Sequence, residues 1–114
     1  MARNELPLTD YRAEMVLMPA HAGATELVEA LCLIVFGPNL PQRAIEPELL
    51  VGGYVAEHIS IAPDQQSLRG YYLQMPPDGA PIRVRYGDSQ EGEVRARFSR
   101  QAVRPLPQNC EDSR

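Results

Sequence analysis

The stretch that decides the fold is residues 82–100, which read IRVRYGDSQEGEVRARFSR. Apolar residues alternate with arginines, a polar segment bounded by glycines follows, and the alternation then resumes. Alternation with period two is typical of a half-buried β-strand, and a short polar segment containing Gly between two such runs indicates a hairpin. We therefore predict strands over residues 82–86 and 93–100, with apolar side chains on one face and arginines on the other.

Four arginines lie on the outer face of this predicted hairpin: Arg83, Arg85, Arg95 and Arg97. In one register Arg85 lies opposite Arg95 and Arg83 lies opposite Arg97, and like charges in such positions destabilise a sheet. A register shifted by two residues places Arg85 opposite Glu93 instead, which relieves part of that repulsion.

These four arginines support two interpretations. The simpler one is a solvated strand face that nearby acids such as Glu57 or Glu93 neutralise. The other is an interaction face that binds an acidic surface, on a partner or on a second copy, through bidentate Arg–carboxylate pairs. We take Arg83, Arg85, Arg95 and Arg97 as the candidate interaction face.

The rest of the chain has the same strand-length rhythm, because eleven prolines and eight glycines separate short apolar runs. Further strands are predicted over residues 13–19, 30–36 and 69–75, with two more around Gly52 and Gly53. Residues 24–31 fit either a strand or a helix that Thr25 would cap. The fold class that follows is all-β, an antiparallel immunoglobulin-like β-sandwich of about seven strands. Its predicted core is Leu33, Val35, Leu40, Val51, Ile59, Leu73, Ile82, Val84, Val94 and Phe98.

The length of 114 residues is that of one domain. We expect a flexible leader over residues 1–13, the sandwich over residues 14–104 and a polar tail over residues 105–114. The N-terminal segment has no apolar run typical of a secretory signal, so we expect a cytoplasmic protein.

Three blocks of the sequence resemble the IPT/TIG family of immunoglobulin-like domains, over roughly residues 15–103. The first runs from Pro19 through Gly23 to Leu40 as PAHAGATELVEALCLIVFGPNL, the second is LLVGGYVAEHISIAPDQQSL, and the third is MPPDGAPIRVRYGDSQEGEVRARF. The segment SLRGYYLQMPP is longer than the strand usual in that family. The resemblance implies a binding, spacer or dimerisation module with no shared catalytic residues.

Residue types that carry chemistry are sparse. His21 and His58 lack the companions that metal-binding spacing requires, so no metal site and no cofactor are expected. Cys32 lies within an apolar run and is predicted to be a buried free thiol, whereas Cys110 in the polar tail is predicted to be exposed. The formal net charge of −4 and the pI of about 5.1 argue against nucleic acid and anionic membranes as partners.

The predicted function is therefore a non-enzymatic protein-interaction or assembly module that docks on a larger partner or forms a homo-oligomer. The alternative is a β-sandwich module that binds a small ligand or a carbohydrate. The absence of Trp counts against the carbohydrate alternative.

Overall fold

The computed structural model of the chain describes residues 6–38, 40, 47–86 and 90–106. The described strands are β1 (Asp10–Pro19), β2 (Leu27–Phe36), β3 (Glu48–Val51), β4 (Tyr54–Val55), β5 (His58–Ile61), β6 (Ser67–Tyr72), β7 (Ile82–Tyr86), β8 (Gln90–Glu93) and β9 (Val103–Arg104). A short 3-10 turn, Arg100–Ala102, precedes β9. Five strands form one sheet in the order β5-β6-β2-β1-β9, and four form the other in the order β4-β3-β7-β8.

The two sheets pack on one shared apolar core, which confirms the all-β prediction and its two-layer arrangement. Leu33 and Leu68 of the five-stranded sheet and Leu49 of the four-stranded sheet belong to the same buried cluster. The Tyr72 hydroxyl on β6 donates a 2.7 Å hydrogen bond to the Leu49 carbonyl on β3, so a polar contact also joins the layers. Of the predicted core residues, Leu73 alone is wrong, since its side chain is 38% exposed.

Nine strands are described where about seven are predicted, and two of the nine, β4 and β9, have only two residues each. The pairing is also not wholly antiparallel. β9 runs parallel to β1, with Val103 opposite Ala13 and Arg104 opposite Glu14. Residues 27–30, which the sequence leaves open between helix and strand, belong to β2. The strand predicted over residues 69–75 ends at Tyr72, so Leu73 lies beyond the sheet.

The predicted leader over residues 1–13 is too long. β1 begins at Asp10, and Leu6 is buried in the core with its N–H donating to the Glu91 carbonyl on β8 at 3.1 Å. Gly92 permits this crossing, since a Cβ at that position would lie 2.6 Å from the Leu6 carbonyl oxygen. Residues 1–5 of the leader, the hairpin turn at residues 87–89, and Cys110 with the rest of residues 107–114 lie outside the described residues.

β2 is the centre of the five-stranded sheet and is buried on both faces from residue 30 to residue 35. On its outer face the flanking strands place Glu14 and Tyr71 beside Cys32. Cys32 is a buried free cysteine, as predicted. Burial raises the pKa of its thiol, against a smaller opposing effect of the nearby Arg69 guanidinium.

Candidate interaction surfaces

The first candidate surface is the arginine-rich hairpin, whose observed register differs from both predicted registers. β7 pairs with β8 so that Arg83 lies opposite Glu93 and Arg85 lies opposite Glu91. On the other side of β7, the antiparallel strand β3 places Glu48 opposite Arg85. Each arginine of β7 therefore has a carboxylate beside it instead of another arginine.

Two ion pairs neutralise these arginines. The Arg83 Nη2 atom lies 2.9 Å from the Glu91 carboxylate, and the Arg85 Nη2 atom lies 2.7 Å from the Glu48 carboxylate. With Glu93 added, this outer strand face carries three acids and two arginines. Its charge balance therefore does not favour an acidic partner at Arg83 and Arg85.

Arg95 and Arg97 lie outside the strand that the sequence predicts for them. β8 ends at Glu93, although the chain continues beside β7. The Val94 N–H donates to the Ile82 carbonyl and the Phe98 N–H donates to the Ala80 carbonyl, each at 2.9 Å. Three residues, 95–97, thus bulge outward opposite the single residue Pro81, and all three are exposed, including Ala96, which the alternation predicts to face the core.

The bulge is held in place by polar contacts to its backbone and by one of its arginines. The Tyr11 hydroxyl donates to the Arg97 carbonyl at 3.1 Å and accepts the Ser99 N–H at 3.0 Å. The Arg97 guanidinium donates to the Gly79 carbonyl at 3.1 Å. The structure therefore places Arg83 and Arg85 together on the strand face, and Arg95 and Arg97 together in the bulge beyond it.

The second candidate surface is a two-stranded extension of the five-stranded sheet. β1 and β2 pair over their full length, but β9 covers β1 only at Ala13 and Glu14, and β6 covers β2 only from Leu31 onward. Residues 15–30, called the arm from here on, consequently have no third strand beside them among the described residues.

The arm exposes large apolar side chains. Side chains alternate along a strand, so Leu17 shares the face of Ala13, which lies in the core. That face continues onto β2 through Leu27, which pairs with Pro19. Leu17 is 53% exposed and Leu27 is 57% exposed, the two highest values among the large apolar residues described.

The outer edge of β1 in the arm also presents backbone hydrogen-bonding groups. The Gly37 N–H donates to the Gln66 carbonyl, which places the odd-numbered residues of β2 in hydrogen-bonded pairs with β6. The even-numbered residues of β2 then form hydrogen bonds with the even-numbered residues of β1 that lie opposite them. The odd-numbered residues of β1 do not bond to β2. Leu17 therefore directs its N–H and C=O away from β2, toward the open edge.

A cleft of about 760 Å³ lies at this edge, where the chain leaves β9. One wall is formed by residues 14–17 of β1 and the other by residues 104–106. The lining combines apolar side chains such as Leu17 and Leu106 with one acid, Glu14, and one base, Arg104.

The two edges of the arm differ in charge. Residues 15–20 on the β1 side, MVLMPA, contain no charged residue, whereas the β2 side carries Glu26 and Glu29. Edge strands in soluble proteins are normally protected by charges, by Pro or by a covering segment. Pro19 protects only the last residue of β1, so the stretch before it has little such protection.

The described residues hold no group of three or more His, Cys, Asp or Glu side chains placed to bind a metal ion. In the same part of the chain no helix is long and apolar enough to cross a membrane. Comparison of the chain with protein-family models, with curated proteins and with solved structures finds no match. The assignment of a surface therefore depends on the geometry of this chain.

Sequence reasoning missed the arm as a candidate surface. The available signal was the uncharged run MVLMPA at residues 15–20, followed after a turn by LVEALCLIVF at residues 27–36. Two adjacent apolar strands are expected in any sandwich core, however. Only the pairing pattern shows that their distal ends extend past both neighbouring strands.

Proposed function

We propose that this chain is a non-enzymatic protein-interaction module and that the arm is its docking surface. The observation that carries the proposal is the two-stranded extension with Leu17 and Leu27 more than half exposed. A two-stranded hairpin is marginally stable by itself in water, and contiguous exposed apolar side chains mark binding surfaces. A partner that covers the arm would stabilise the hairpin and remove that apolar surface from water.

The arginine face remains a second, weaker candidate for the same function. Arg83 and Arg85 are occupied by Glu91 and Glu48, whereas Arg95 forms no ion pair or hydrogen bond with any other described residue. An acidic partner would therefore bind at the bulge, and it would have to compete with the acids on the neighbouring strand face.

The proposal also concerns the predicted fold family, the predicted cellular location and the carbohydrate-binding alternative. Two sheets over one core support an immunoglobulin-like class, and we keep the IPT/TIG resemblance as a hypothesis about origin. A buried free thiol at Cys32 is compatible with the predicted cytoplasmic location. The carbohydrate-binding alternative receives less support, since the described lining of the cleft beside the arm contains no aromatic side chain.

Photo-crosslinking in cells tests this function directly. A benzophenone amino acid at Leu27 places the probe on the arm, and the same substitution at exposed Ser60 on β5 gives a matched control on the opposite edge strand of the same sheet. We expect a discrete adduct from position 27 and none from position 60. An adduct at twice the 12.7 kDa mass of the chain indicates a second copy, and another mass indicates a different protein.

Failure of the function has a distinct outcome in that experiment. Because the two edges of the arm can differ, the probe is also placed at Leu17. If neither position 27 nor position 17 gives an adduct, or if position 60 gives the same adducts at equal yield, the arm is not a docking surface.

A further inference from the structure

We infer that the β1 edge of the arm pairs with the same edge of a second copy, antiparallel and across a two-fold axis at Leu17. This inference rests on the proposed function and names the partner of the same surface. It joins the two five-stranded sheets through their arms.

The backbone geometry supports a two-fold axis at this residue. Leu17 directs its N–H and C=O outward, as the register of β2 with β1 and β6 establishes. In an antiparallel pair, two opposed residues whose backbone N–H and C=O groups point toward the other strand form two hydrogen bonds with each other. Leu17 of each copy would therefore donate its N–H to the Leu17 carbonyl of the other, which satisfies four groups at once.

The side chains support the same register. Around Leu17 the pairing places Val16 opposite Met18 of the second copy and Met15 opposite Pro19 of the second copy. All of these are apolar, so the interface is self-complementary, as a two-fold contact must be. Pro19 has no N–H and therefore limits the paired length to about five residues.

Charge favours this edge over the β2 edge of the arm and over β8. The chain has a formal net charge of −4, so two copies repel each other wherever their acids meet. The β2 edge of the arm carries Glu26 and Glu29, and β8 carries Glu91 and Glu93. Self-pairing of either would set acids close to acids, whereas residues 15–20 bring no charge.

The size of the contact sets the expected strength. Five paired residues span about 17 Å. A contact this short buries less surface than the roughly 1,000 Å² of a stable interface. The cleft adds to the contact, because Pro19 of the second copy would lie opposite Met15, beside the wall formed by residues 104–106. We therefore expect a reversible dimer whose population depends on protein concentration in the micromolar range or above.

Disulfide trapping tests the register. In a Cys110→Ser background, Leu17→Cys places two thiols across the two-fold axis, where Cα atoms of a hydrogen-bonded pair lie about 5.5 Å apart, a distance that suits a disulfide. We expect mild oxidation to produce a covalent dimer rapidly. Ser60→Cys, on the exposed edge strand β5, is the control and should remain monomeric over the same time.

Sedimentation velocity over a concentration series tests the edge without a crosslink. Leu17→Lys places like charges on the two-fold axis and should weaken the dimer at least tenfold. Leu27→Lys changes a residue of similar exposure on the same face of the arm but on its β2 side, and should change the dissociation constant less than about threefold. Equal effects of the two substitutions would overturn the β1-edge register.

The remaining outcomes separate this inference from the function. A chain that stays monomeric up to millimolar concentration overturns the dimer. If a chain truncated after Leu106 dimerises while the full chain does not, residues 107–114 occupy the edge and the second copy is the wrong partner. An arm that crosslinks only to a different protein in cells overturns the inference and leaves the proposed function standing.

Discussion

At the scale of single residues, Gly70 fixes how closely the two sheets approach. A Cβ at this position would lie 2.7 Å from the Leu49 side chain and 2.8 Å from the Ala56 Cβ atom. The Ala56 atom is attached directly to the backbone and cannot rotate away. Glycine at residue 70 is therefore a packing requirement between the layers.

We expect Gly70→Ala to lower the free energy of unfolding by about 1–3 kcal/mol through overpacking. Gly53→Ala is the matched control, since a Cβ there meets nothing within 4 Å, and its effect should stay within about 0.5 kcal/mol. Chemical denaturation of the two variants measures the difference. Equal stabilities would show that the sheets can separate at this point at little cost.

Tyr72 joins the layers by its hydroxyl and adds a pH dependence. Burial raises the pKa of this hydroxyl above its ordinary value of 10.0. Above that pH the unfolded chain loses the proton while the folded chain keeps it. The stability present at neutral pH must therefore fall as the pH rises beyond about 10.

Tyr72→Phe removes both the hydrogen bond to Leu49 and this titration. At pH 8 we expect a loss of about 1 kcal/mol in the free energy of unfolding. Between pH 10 and pH 11 the parent chain should lose up to about 1.4 kcal/mol that the variant does not lose. The difference in the free energy of unfolding between the parent chain and the variant should therefore change from pH 8 to pH 11, and denaturation at the two pH values measures it. A constant difference would contradict the role given to Tyr72.

The period-two pattern predicts which individual residues are buried wherever a strand is regular. Val84 and Phe98 are examples, and both are buried as predicted. The pattern fails at the ends of strands. The predicted strand over residues 69–75 placed Leu73 in the core, but β6 ends at Tyr72, and it is Tyr72 whose ring is buried.

At the scale of elements, the arginine hairpin shows what alternation cannot determine. The apolar residues of both strands were identified, yet the register was not, because registers two residues apart place the same side chains on the same faces. Cross-strand charge pairing selects among them. The observed register gives Arg85 two acidic neighbours, Glu48 and Glu91.

The bulge at residues 95–97 could not be predicted from period two for a related reason. Val94 and Phe98 are four residues apart and lie on the same face in a regular strand and also across this bulge. Pro81, which lies opposite the bulge and has no N–H, was the available signal.

Charge reversal at Arg85 should therefore affect stability more than association. Arg85→Glu places a third carboxylate between Glu48 and Glu91, and we expect a loss of about 0.5–1 kcal/mol in the free energy of unfolding at low salt. Arg95→Glu in the exposed bulge is the control and should be close to neutral. Denaturation with and without added salt measures both, since screening should reduce the Arg85 effect. A larger effect at Arg95 would contradict the observed pairing.

At the scale of the whole molecule, the arm can be separated from the fold. Val16 and Ala30 form a hydrogen-bonded pair in the established alternation, so a two-residue Asn-Gly turn can replace residues 17–29 between them. We expect the shortened chain to unfold cooperatively, with a stability within about 1–2 kcal/mol of the parent, because the arm lies outside the third-strand contacts. The same chain should lose arm-dependent crosslinks and dimerisation. A shortened chain that does not fold would show that the arm is part of the structural core.

The parallel pair of β1 with β9 has a consequence for synthesis. Val103 pairs with Ala13, so the first and last of the described strands lie side by side although about ninety residues separate them along the chain. At a ribosome speed of about 5–20 residues per second, the nascent chain spends several seconds with the whole outer side of its first strand bare. During that interval the unpaired edge is available for strand pairing with another nascent chain. The yield of correctly folded protein in a cell should therefore depend on the rate of translation and on chaperones that cover this edge.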